Sequence, residues 1–438
     1  DAAVQYWNKS LTMWDQLGDR KNIAKVHGKM ASFIWQFMSD RDKASEHHRM
    51  ALEILEKEPE SIELAGLYED ISHMLWRSGS TDALSWAEKA LEMAKRLSAP
   101  KVLAACYNDL GTLHLKLGEF EKTSEYYEQG LKIALENKVP EFAIPFYNNL
   151  SELYWFLGEF QKMFETAQEG SGYTKKVGSL WGLTWIDSAL AISYIYMGEL
   201  QKAISIFEET LALSKRIKYP VQISGTMCGL GWCYLLLGEW DKSLKYLTEA
   251  YDIAKKIGEY QFLALATIVL GELFMEMEDY EESEKYFNEN STICEKTGET
   301  AYLFLATFPS LSRLYLRKGE IEKAKPLIER TYEYATKKGI KLSIADAEML
   351  KAMLFREQKN WEQSVQYFEK SFQAYKALNM QKWNIWTVAE HLYEYGLMYL
   401  DRNEEDDKEK AYSLLNQALE IYRRVDAKKT IEKIIAKK

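Results

Sequence analysis

The residues of this chain that could do chemistry are its six histidines, its four cysteines and one glycine-rich segment. None of the histidines belongs to a His-Glu-x-x-His pattern, the spacing that lets one face of a helix bind zinc. His47 and His48 are adjacent, but consecutive helix positions point about 100° apart, so neighbours are poorly placed to share an ion. We therefore expect packing or surface roles, and no metal site, for all the histidines: His27, His47, His48, His73, His114 and His391.

The cysteines and the glycine-rich segment also lack the spacing of catalytic groups. Cys106, Cys228, Cys233 and Cys294 show no Cys-x-x-Cys pattern, so we expect reduced, mostly buried thiols. The segment 170–176, Gly-Ser-Gly-Tyr-Thr-Lys-Lys, does not have the residue order of a phosphate-binding loop. No nucleophile lies at a readable spacing from a base. The sequence thus predicts a protein that is not an enzyme and carries no cofactor.

The charge and hydropathy of the chain restrict its partners. The net charge is −10 and no stripe of lysine and arginine stands out, so a phosphate backbone would meet net repulsion. We expect no direct binding of nucleic acid. No apolar run approaches the ~18 residues that a membrane-spanning helix needs, and no basic-then-apolar leader opens the chain. We therefore expect a cytoplasmic protein without membrane contact.

A small residue returns about every forty positions along the chain, and this spacing predicts the elements that hold all other residues. The successive intervals are 41, 39, 40, 40, 40, 40, 40, 41, 40 and 47 residues. A fixed period of this size is typical of a solenoid, whose units bury their faces only against their neighbours. The small residues are Ser10, Ala51, Ala90, Gly130, Gly170, Thr210, Ala250, Asn290, Thr331, Ser371 and Ala418.

Each period has the pattern of two helices joined by a tight turn. A glycine recurs at the turn, where a left-handed backbone forms most easily without a Cβ. A glutamate follows it, at the positive end of the next helix dipole, and a bulky apolar residue comes next. The turn glycines are Gly118, Gly158, Gly198, Gly238 and Gly319.

These residues resemble the tetratricopeptide repeat family. The closest copy of the family pattern runs through Leu230-Gly231, Tyr234, Trp240 and Ala250. The usual period of the family is about 34 residues, so a period of forty adds about three residues to each helix. Long helices of this kind resemble the sensor domains of maltotriose-regulator-like signal-transduction ATPases, and also adaptors that bind partner peptides.

We predict an all-α fold, a right-handed superhelical solenoid of antiparallel helix pairs, as the resemblance implies. The small positions give about ten complete pairs from Asn22 to Arg423, preceded by one lone second helix. The predicted domains are 1–19, the second helix of a broken repeat; 20–425, the solenoid; and 426–438, a capping helix or tail. The lone helix and the first residue, Asp1, favour a fragment linked to an N-terminal effector domain that is absent from this chain.

First helices line the concave face in this family, so the helical spacing projects candidate binding residues from them. The projection gives tryptophan rings mixed with hydrogen-bonding groups. Such a mixture suits a sugar, a small polar ligand or a peptide, because rings supply contact area and polar groups fix orientation. Any one of these tryptophans could instead belong to the core. The candidates, called the projected stripe below, are Asn108, Asn148, Glu152, Trp155, Trp185, Ser188, Trp232, Glu272 and Arg313.

Two functions fit these observations. The first is a non-catalytic domain that binds a small polar ligand or a peptide in its groove, as the sensor or effector-binding arm of a larger signalling or regulatory protein. The second is a scaffold or adaptor that holds a segment of a partner protein along the superhelical groove. Both leave the ligand itself unnamed.

Overall fold

The computed structural model describes residues 2–35, 40–77, 80 and 82–438, in which every regular element is a helix. The first residue, on which the fragment hypothesis rests, lies outside these ranges. The chain forms two compact units, Asp1–Asn149 and Leu150–Lys438, called unit 1 and unit 2 below. The boundary between them falls within one helix. The predicted domain limits at 19 and 425 stay predictions.

Unit 1 contains the helices of the first repeats. They are α1 Ala2–Gln16, α2 Arg20–Phe33, α3 Arg41–Leu55, α4 Ile62–Arg77, α5 Ala83–Arg96, α6 Pro100–Lys116, α7 Phe120–Glu136 and the first part of α8 Pro140–Leu157.

Unit 2 continues from the second part of α8. Its helices are α9 Phe160–Val177, α10 Leu180–Tyr196, α11 Leu200–Arg216, α12 Pro220–Leu237, α13 Trp240–Ile257, α14 Tyr260–Glu276, α15 Tyr280–Thr297, α16 Thr300–Tyr302, α17 Phe308–Arg317, α18 Ile321–Lys338, α19 Lys341–Glu357, α20 Trp361–Ala377, α21 Met380–Trp383, α22 Ile385–Arg402, α23 Asp407–Arg424 and α24 Lys428–Lys437. In the described ranges, α2 to α23 form ten successive helix pairs, as predicted, and α1 precedes them without a first helix of its own.

The turns within the pairs confirm the predicted role of glycine. Gly118, Gly158, Gly198, Gly238 and Gly319 all have positive φ, between 66° and 76°. The following glutamates make no side-chain bond to the helix start, as at Glu119. Each pairs instead with the lysine three residues later, as Glu119 does with Lys122 at 2.7 Å. The glutamate therefore joins an ion pair along the helix start as well as facing the helix dipole.

The small positions confirm the predicted close packing of helices. All of them except Ser10 are buried. Where the second helix begins, a serine replaces alanine in several repeats and bonds to the first helix: Ser243 Oγ donates to the carbonyl of Gly231 at 2.8 Å, and Ser283 Oγ to that of Gly271 at 2.8 Å. The small serine side chains let the two helices approach closely, and each buried hydroxyl has a hydrogen-bond acceptor.

In unit 2, two first helices have irregularities that the repeat pattern did not predict. The segment 303–307 between α16 and α17 is a π-helix that ends two residues before Pro309, whose ring nitrogen cannot donate a backbone hydrogen bond. The short α21 is followed by Asn384, whose side-chain oxygen caps α22 by accepting from the Thr387 amide at 3.4 Å. The interruption between α21 and α22 lies within the one interval of 47 residues, so part of the extra length of that repeat forms this interruption.

The last helix, α24, packs one isoleucine into unit 2. Ile434 is fully buried in a cluster that includes Val425 and Leu419, whereas Ile435 is 52% exposed. Among the described helices, none is long and apolar enough to cross a bilayer.

Two helical glycines test the packing argument directly. A Cβ at Gly271 would lie 2.5 Å from the ring of Phe287, which is fully buried, whereas a Cβ at the exposed Gly172 would meet nothing within 4 Å. We expect Gly271→Ala to lower the free energy of unfolding by about 1–3 kcal/mol through overpacking. Gly172→Ala should raise it by up to about 1 kcal/mol, because alanine favours the helix. Thermal and urea unfolding of both variants would measure this, and a Gly271→Ala protein as stable as the parent would refute the close approach.

Candidate functional site

The residues of the projected stripe in unit 1 form a short chain of amides. The Asn149 side chain donates to Asn108 Oδ1 at 2.8 Å and accepts from Asn148 Nδ2 at 3.2 Å. All three asparagines are half-buried, on α6 and α8. Asn149 was not among the predicted residues, although it joins the two that were.

In unit 2, the stripe residues Trp155 and Trp232 meet at a tyrosine between them. Trp155 Nε1 donates to Tyr196 Oη at 2.5 Å, and the Tyr196 and Trp232 rings lie edge to face at 5.5 Å. The Trp155 ring also lies 6.2 Å from that of Tyr302. The structure therefore assembles these two tryptophans into one aromatic cluster on α8, α10, α12 and α16, and uses the indole donor of Trp155 inside the protein.

Trp185 and Ser188 belong to a different part of α10. The Trp185 ring stacks on Phe262 at 5.8 Å and lies 6.3 Å from Trp181, which is 43% exposed. Ser188 accepts from Gln222 Nε2 at 2.9 Å. The structure thus places Trp185 and Ser188 on the same helix as Tyr196, but outside the aromatic cluster around that tyrosine.

The charged members of the stripe, Glu272 and Arg313, are brought together by a residue that the sequence did not single out. Arg313 Nη1 donates to both carboxylate oxygens of Glu390, at 2.8 and 2.7 Å, and Nη2 lies 3.8 Å from Glu272 Oε1. Ser310 Oγ also donates to Glu272, at 3.2 Å. The side chains of Glu272, Arg313 and Glu390 are 28%, 22% and 25% exposed, so each is partly accessible to water.

Further ion pairs extend this network along neighbouring helices. Arg317 lies 2.7 Å from Glu276 Oε1, and Lys433 of α24 lies 3.5 Å from Glu276 Oε2. Burial would raise the pKa of Glu276, but Arg317 and Lys433 outweigh it and hold that pKa at about 2. We call the residues Glu272, Glu276, Arg313, Arg317 and Glu390 the charged cleft.

A carboxyl with a raised pKa adjoins the charged cleft. Burial raises the pKa of Asp346 to about 7, against the lowering effects of the Tyr375 hydrogen bond and of Arg313. Tyr375 Oη donates to Asp346 Oδ1 at 2.8 Å. Burial also raises the pKa of Glu272. The cleft therefore contains carboxyl groups that titrate at different pH.

Later helices of unit 2 cover part of its earlier first helices. Trp386 Nε1 of α22 donates to the carbonyl of Ile195 on α10 at 2.6 Å, across 191 residues of chain. A Cβ at the turn residue Gly198 would lie 2.2 Å from Ile385 Cδ1, and one at Gly158 would lie 2.6 Å from Leu342 Cβ. Successive turns of the unit 2 superhelix thus pack directly on each other, and α22 carries both Trp386 and Glu390.

A separate concavity lies on α20 and α22. It encloses about 560 Å³ and is lined by Gln366, Glu369, Lys370, Phe372, Gln373 and Tyr395. Its aromatic floor rests on His391, whose ring stacks on Phe372 at 5.1 Å and whose Nε2 lies 2.8 Å from the Phe368 carbonyl oxygen. This histidine has the packing role that the sequence analysis expected.

The cysteines and the three histidines of α2 and α3 were also singled out in the sequence. All four cysteines are buried and unbridged, and burial raises the pKa of the Cys228 and Cys233 thiols well above the ordinary range. Thiols of this kind are poor nucleophiles. The Nδ1 atoms of His27 and His47 lie 2.8 Å apart, while His48 is buried with neither ring nitrogen bonded. The adjacent pair at 47 and 48 does diverge, as the helical geometry predicted.

The comparisons with known proteins agree with this fold. The family model of the tetratricopeptide repeat matches residues 63–136 and 183–256. These two stretches carry tetratricopeptide repeats. No curated protein matches it in sequence.

Several solved structures have similar repeats. A Rap protein complexed with Competence and Sporulation Factor is similar over 82% of this chain and 99% of its own, with 13% identity and a TM-score of 0.59. The apo form of the quorum sensor NprR from B. thuringiensis is similar over 83% of this chain and 99% of its own, with 13% identity and a TM-score of 0.50. A signal-transduction ATPase with a tetratricopeptide repeat sensor from Pyrococcus horikoshii is similar over 77% of this chain and 54% of its own, with 14% identity and a TM-score of 0.43. At these identities the likeness to the Rap protein and to NprR shows the fold alone.

The most important residue that sequence reasoning missed is Glu390. It lies 77 residues from Arg313, on the first helix of the last repeat pair. It occupies the position six before Gly396, which is one of the positions used for the projection. Extending the same register to the last tetratricopeptide repeat would therefore have found it.

The pKa of Asp346 gives a pH test of the charged cleft. Because the folded state holds this proton more tightly than the unfolded state, whose Asp pKa is near 3.8, stability falls as pH rises from about 4 to about 7. Between pH 5 and pH 8 the parent protein should lose more unfolding free energy than Asp346→Asn, by about 1 kcal/mol or more. Urea unfolding at both pH values measures the difference. Asp252→Asn, on the exposed face of α13, is the control and should follow the parent; parallel profiles for parent and Asp346→Asn would contradict the assignment.

Proposed function

We propose that this chain is a non-catalytic sensor domain that binds a short peptide in the charged cleft of unit 2. One observation carries the proposal. Charged side chains from first helices of different repeats meet in one network, yet each keeps a fifth to a third of its side-chain surface open to water. Groups of this kind are held in place by packing and remain available to a ligand, which is the arrangement expected of a largely pre-formed site.

Arg313 defines the ligand chemistry that we propose. Its Nη1 is occupied by Glu390, but its Nε is buried and has no hydrogen-bond partner. A buried donor without an acceptor costs about 1–3 kcal/mol, which a ligand acceptor would recover. The planar guanidinium suits a carboxylate that bonds to two of its nitrogens. We therefore propose that the peptide presents a carboxylate, from an acidic side chain or its C-terminus, to Arg313.

Binding would act on the superhelix through α22. A ligand carboxylate at Arg313 competes with Glu390, which lies one helical turn from Trp386 on the same face of α22. Trp386 in turn bonds to α10 through the Ile195 carbonyl. A ligand that replaces Glu390 would loosen the contact between superhelical turns and so favour a more open conformation. The shift would equal the difference in affinity between the two conformations.

The similar proteins support a peptide as the ligand. The Rap structure holds Competence and Sporulation Factor, and NprR is a quorum sensor. Both share this fold at a low identity, so the residues of the charged cleft, and not the likeness, specify the site proposed here. We further propose that the domain acts in the cytoplasm as part of a larger signalling protein and without direct contact with nucleic acid, in keeping with its net charge of −10.

Peptide selection tests this function. A phage-displayed library of short linear peptides would be selected on the full chain, and the enriched peptides measured by fluorescence anisotropy. We expect acidic peptides with dissociation constants in the micromolar range or below. Arg313→Gln should weaken them at least tenfold, which is about 1.4 kcal/mol. Glu390→Gln should instead tighten binding several-fold, because it removes the internal competitor for Arg313.

The controls separate binding from folding. Lys285→Gln breaks an exposed ion pair with Glu282 on α15 and should leave affinity unchanged. Circular dichroism and thermal unfolding would establish that each variant is folded, and Arg313→Lys keeps the charge while losing the planar fork. Failure to enrich any peptide, or enriched peptides that bind Arg313→Gln as tightly as the parent, would rule out this function. Loss of a protein partner in the Arg313→Gln variant, without any short peptide ligand, would support the scaffold alternative.

A further inference from the structure

Unit 1 contains a cluster of acidic side chains on α4 and α6. Glu69 and His73 lie four residues apart on one face of α4, and Asp109 lies on the neighbouring first helix, α6. One possible ligand atom from each of the three side chains lies within 4.8 Å of the others. In the part of unit 1 that the structure describes, neither these carboxylates nor the adjacent Asp70 pairs with a lysine or arginine.

Asp109 gives the second observation that points to a ligand. Its side chain is only 1% exposed, and its Oδ2 atom is buried without any hydrogen-bond partner. The other oxygen, Oδ1, lies 3.0 Å from His73 Nδ1 and accepts from Trp76 Nε1 at 3.1 Å. A carboxylate oxygen that is buried without a partner is costly, since its desolvation is not compensated. A bound cation beside Oδ2 would supply the missing interaction.

We propose that Glu69, His73 and Asp109 bind a divalent first-row transition metal ion, of the class of Zn²⁺, Mn²⁺ and Co²⁺. Two carboxylates and one imidazole form a donor set that such ions accept, whereas Mg²⁺ and Ca²⁺ prefer oxygen ligands alone. Ligand atoms around one ion at 2.0–2.2 Å lie at most about 4.4 Å apart, so a small side-chain adjustment closes the set. Trp76 would hold Asp109 in orientation from outside the ion's shell.

The site is open to an incoming ion. The His73 side chain is 30% exposed and Glu69 is half-buried, while Asp109 forms the buried end of the site. An open coordination position on the exposed side would be left to water or to a donor atom of a ligand. The site lies within unit 1, and its binding can be measured apart from the charged cleft of unit 2.

Metal titration tests the proposal on the full chain after chelator treatment and dialysis. Zn²⁺ would be followed by calorimetry, and Co²⁺ by its visible absorption, which reports nitrogen and oxygen ligation. We expect one ion per chain with a dissociation constant in the micromolar range or tighter, and much weaker binding of Mg²⁺ and Ca²⁺. Asp109→Asn and Glu69→Gln should each weaken Zn²⁺ at least tenfold.

A pair of histidines elsewhere in unit 1 provides the matched control. His27 and His47 also lie in unit 1, with Nδ1 atoms 2.8 Å apart, so His47→Gln removes the other obvious place for an ion. This variant should bind Zn²⁺ as the parent does. The metal-free Asp109→Asn protein should be at least as stable as the parent, because it lacks the unpartnered buried carboxylate. No stoichiometric binding to the parent, unchanged binding in a folded Asp109→Asn variant, or loss of binding in His47→Gln would overturn the proposal.

Discussion

Close approach between helices at one small residue per repeat is the constraint on which the rest of this structure depends. Residues such as Ala250 and Gly271 leave no gap for a larger side chain, and buried rings such as Phe287 fill the space beside them. Because interiors are densely packed, this fit fixes the rotation of each helix about its own axis. The rotation in turn decides which residues of a first helix face inward. Packing in the wall of the superhelix therefore determines the chemistry of its inner face.

Placing the charged cleft on that inner face costs desolvation free energy. Moving carboxylates and guanidinium groups out of water costs several kcal/mol per ion, and well-packed apolar residues of similar volume are often as stable or more so. Glu272, Arg313 and Glu390 lower this cost by pairing with each other and by keeping part of their surface in water. A network that is partly solvated can exchange one partner for another. This property distinguishes it from the aromatic cluster of Trp155, Tyr196 and Trp232, whose contacts only add to packing.

The sequence predicted the turns and the helix packing between neighbouring repeats, and it missed the contacts between repeats far apart. The positive φ of Gly198 and Gly238 and the burial of Ala250 follow from local turn and packing rules. The contact between Trp386 and Ile195 depends on a small rotation accumulated over 191 residues, so no local pattern indicates it. The projected stripe included Glu272 and Arg313, which the structure brings together, but it could not tell that Trp185 stacks on Phe262, away from Trp155. The π-helix before Pro309 had a visible signal, a proline inside a first helix, that the repeat pattern obscured.

The charged cleft of unit 2 and the acidic cluster of unit 1 differ in what balances the charge of their carboxylates, and this difference separates their proposed ligands. In unit 2, Glu276 faces Arg317 and Lys433, and Glu390 faces Arg313, so a ligand must compete with cations that the protein already supplies. In the described part of unit 1, the hydrogen-bonding partners of Asp109 are a histidine and an indole N–H, Glu69 is a nearby carboxylate, and one Asp109 oxygen has no hydrogen-bond partner. Asp109 was missed because it lies one residue from the projected position of Asn108, on the buried side of α6. A shift of one residue on a helix thus separates a hydrogen-bonding amide from a carboxylate that lacks a counter-ion.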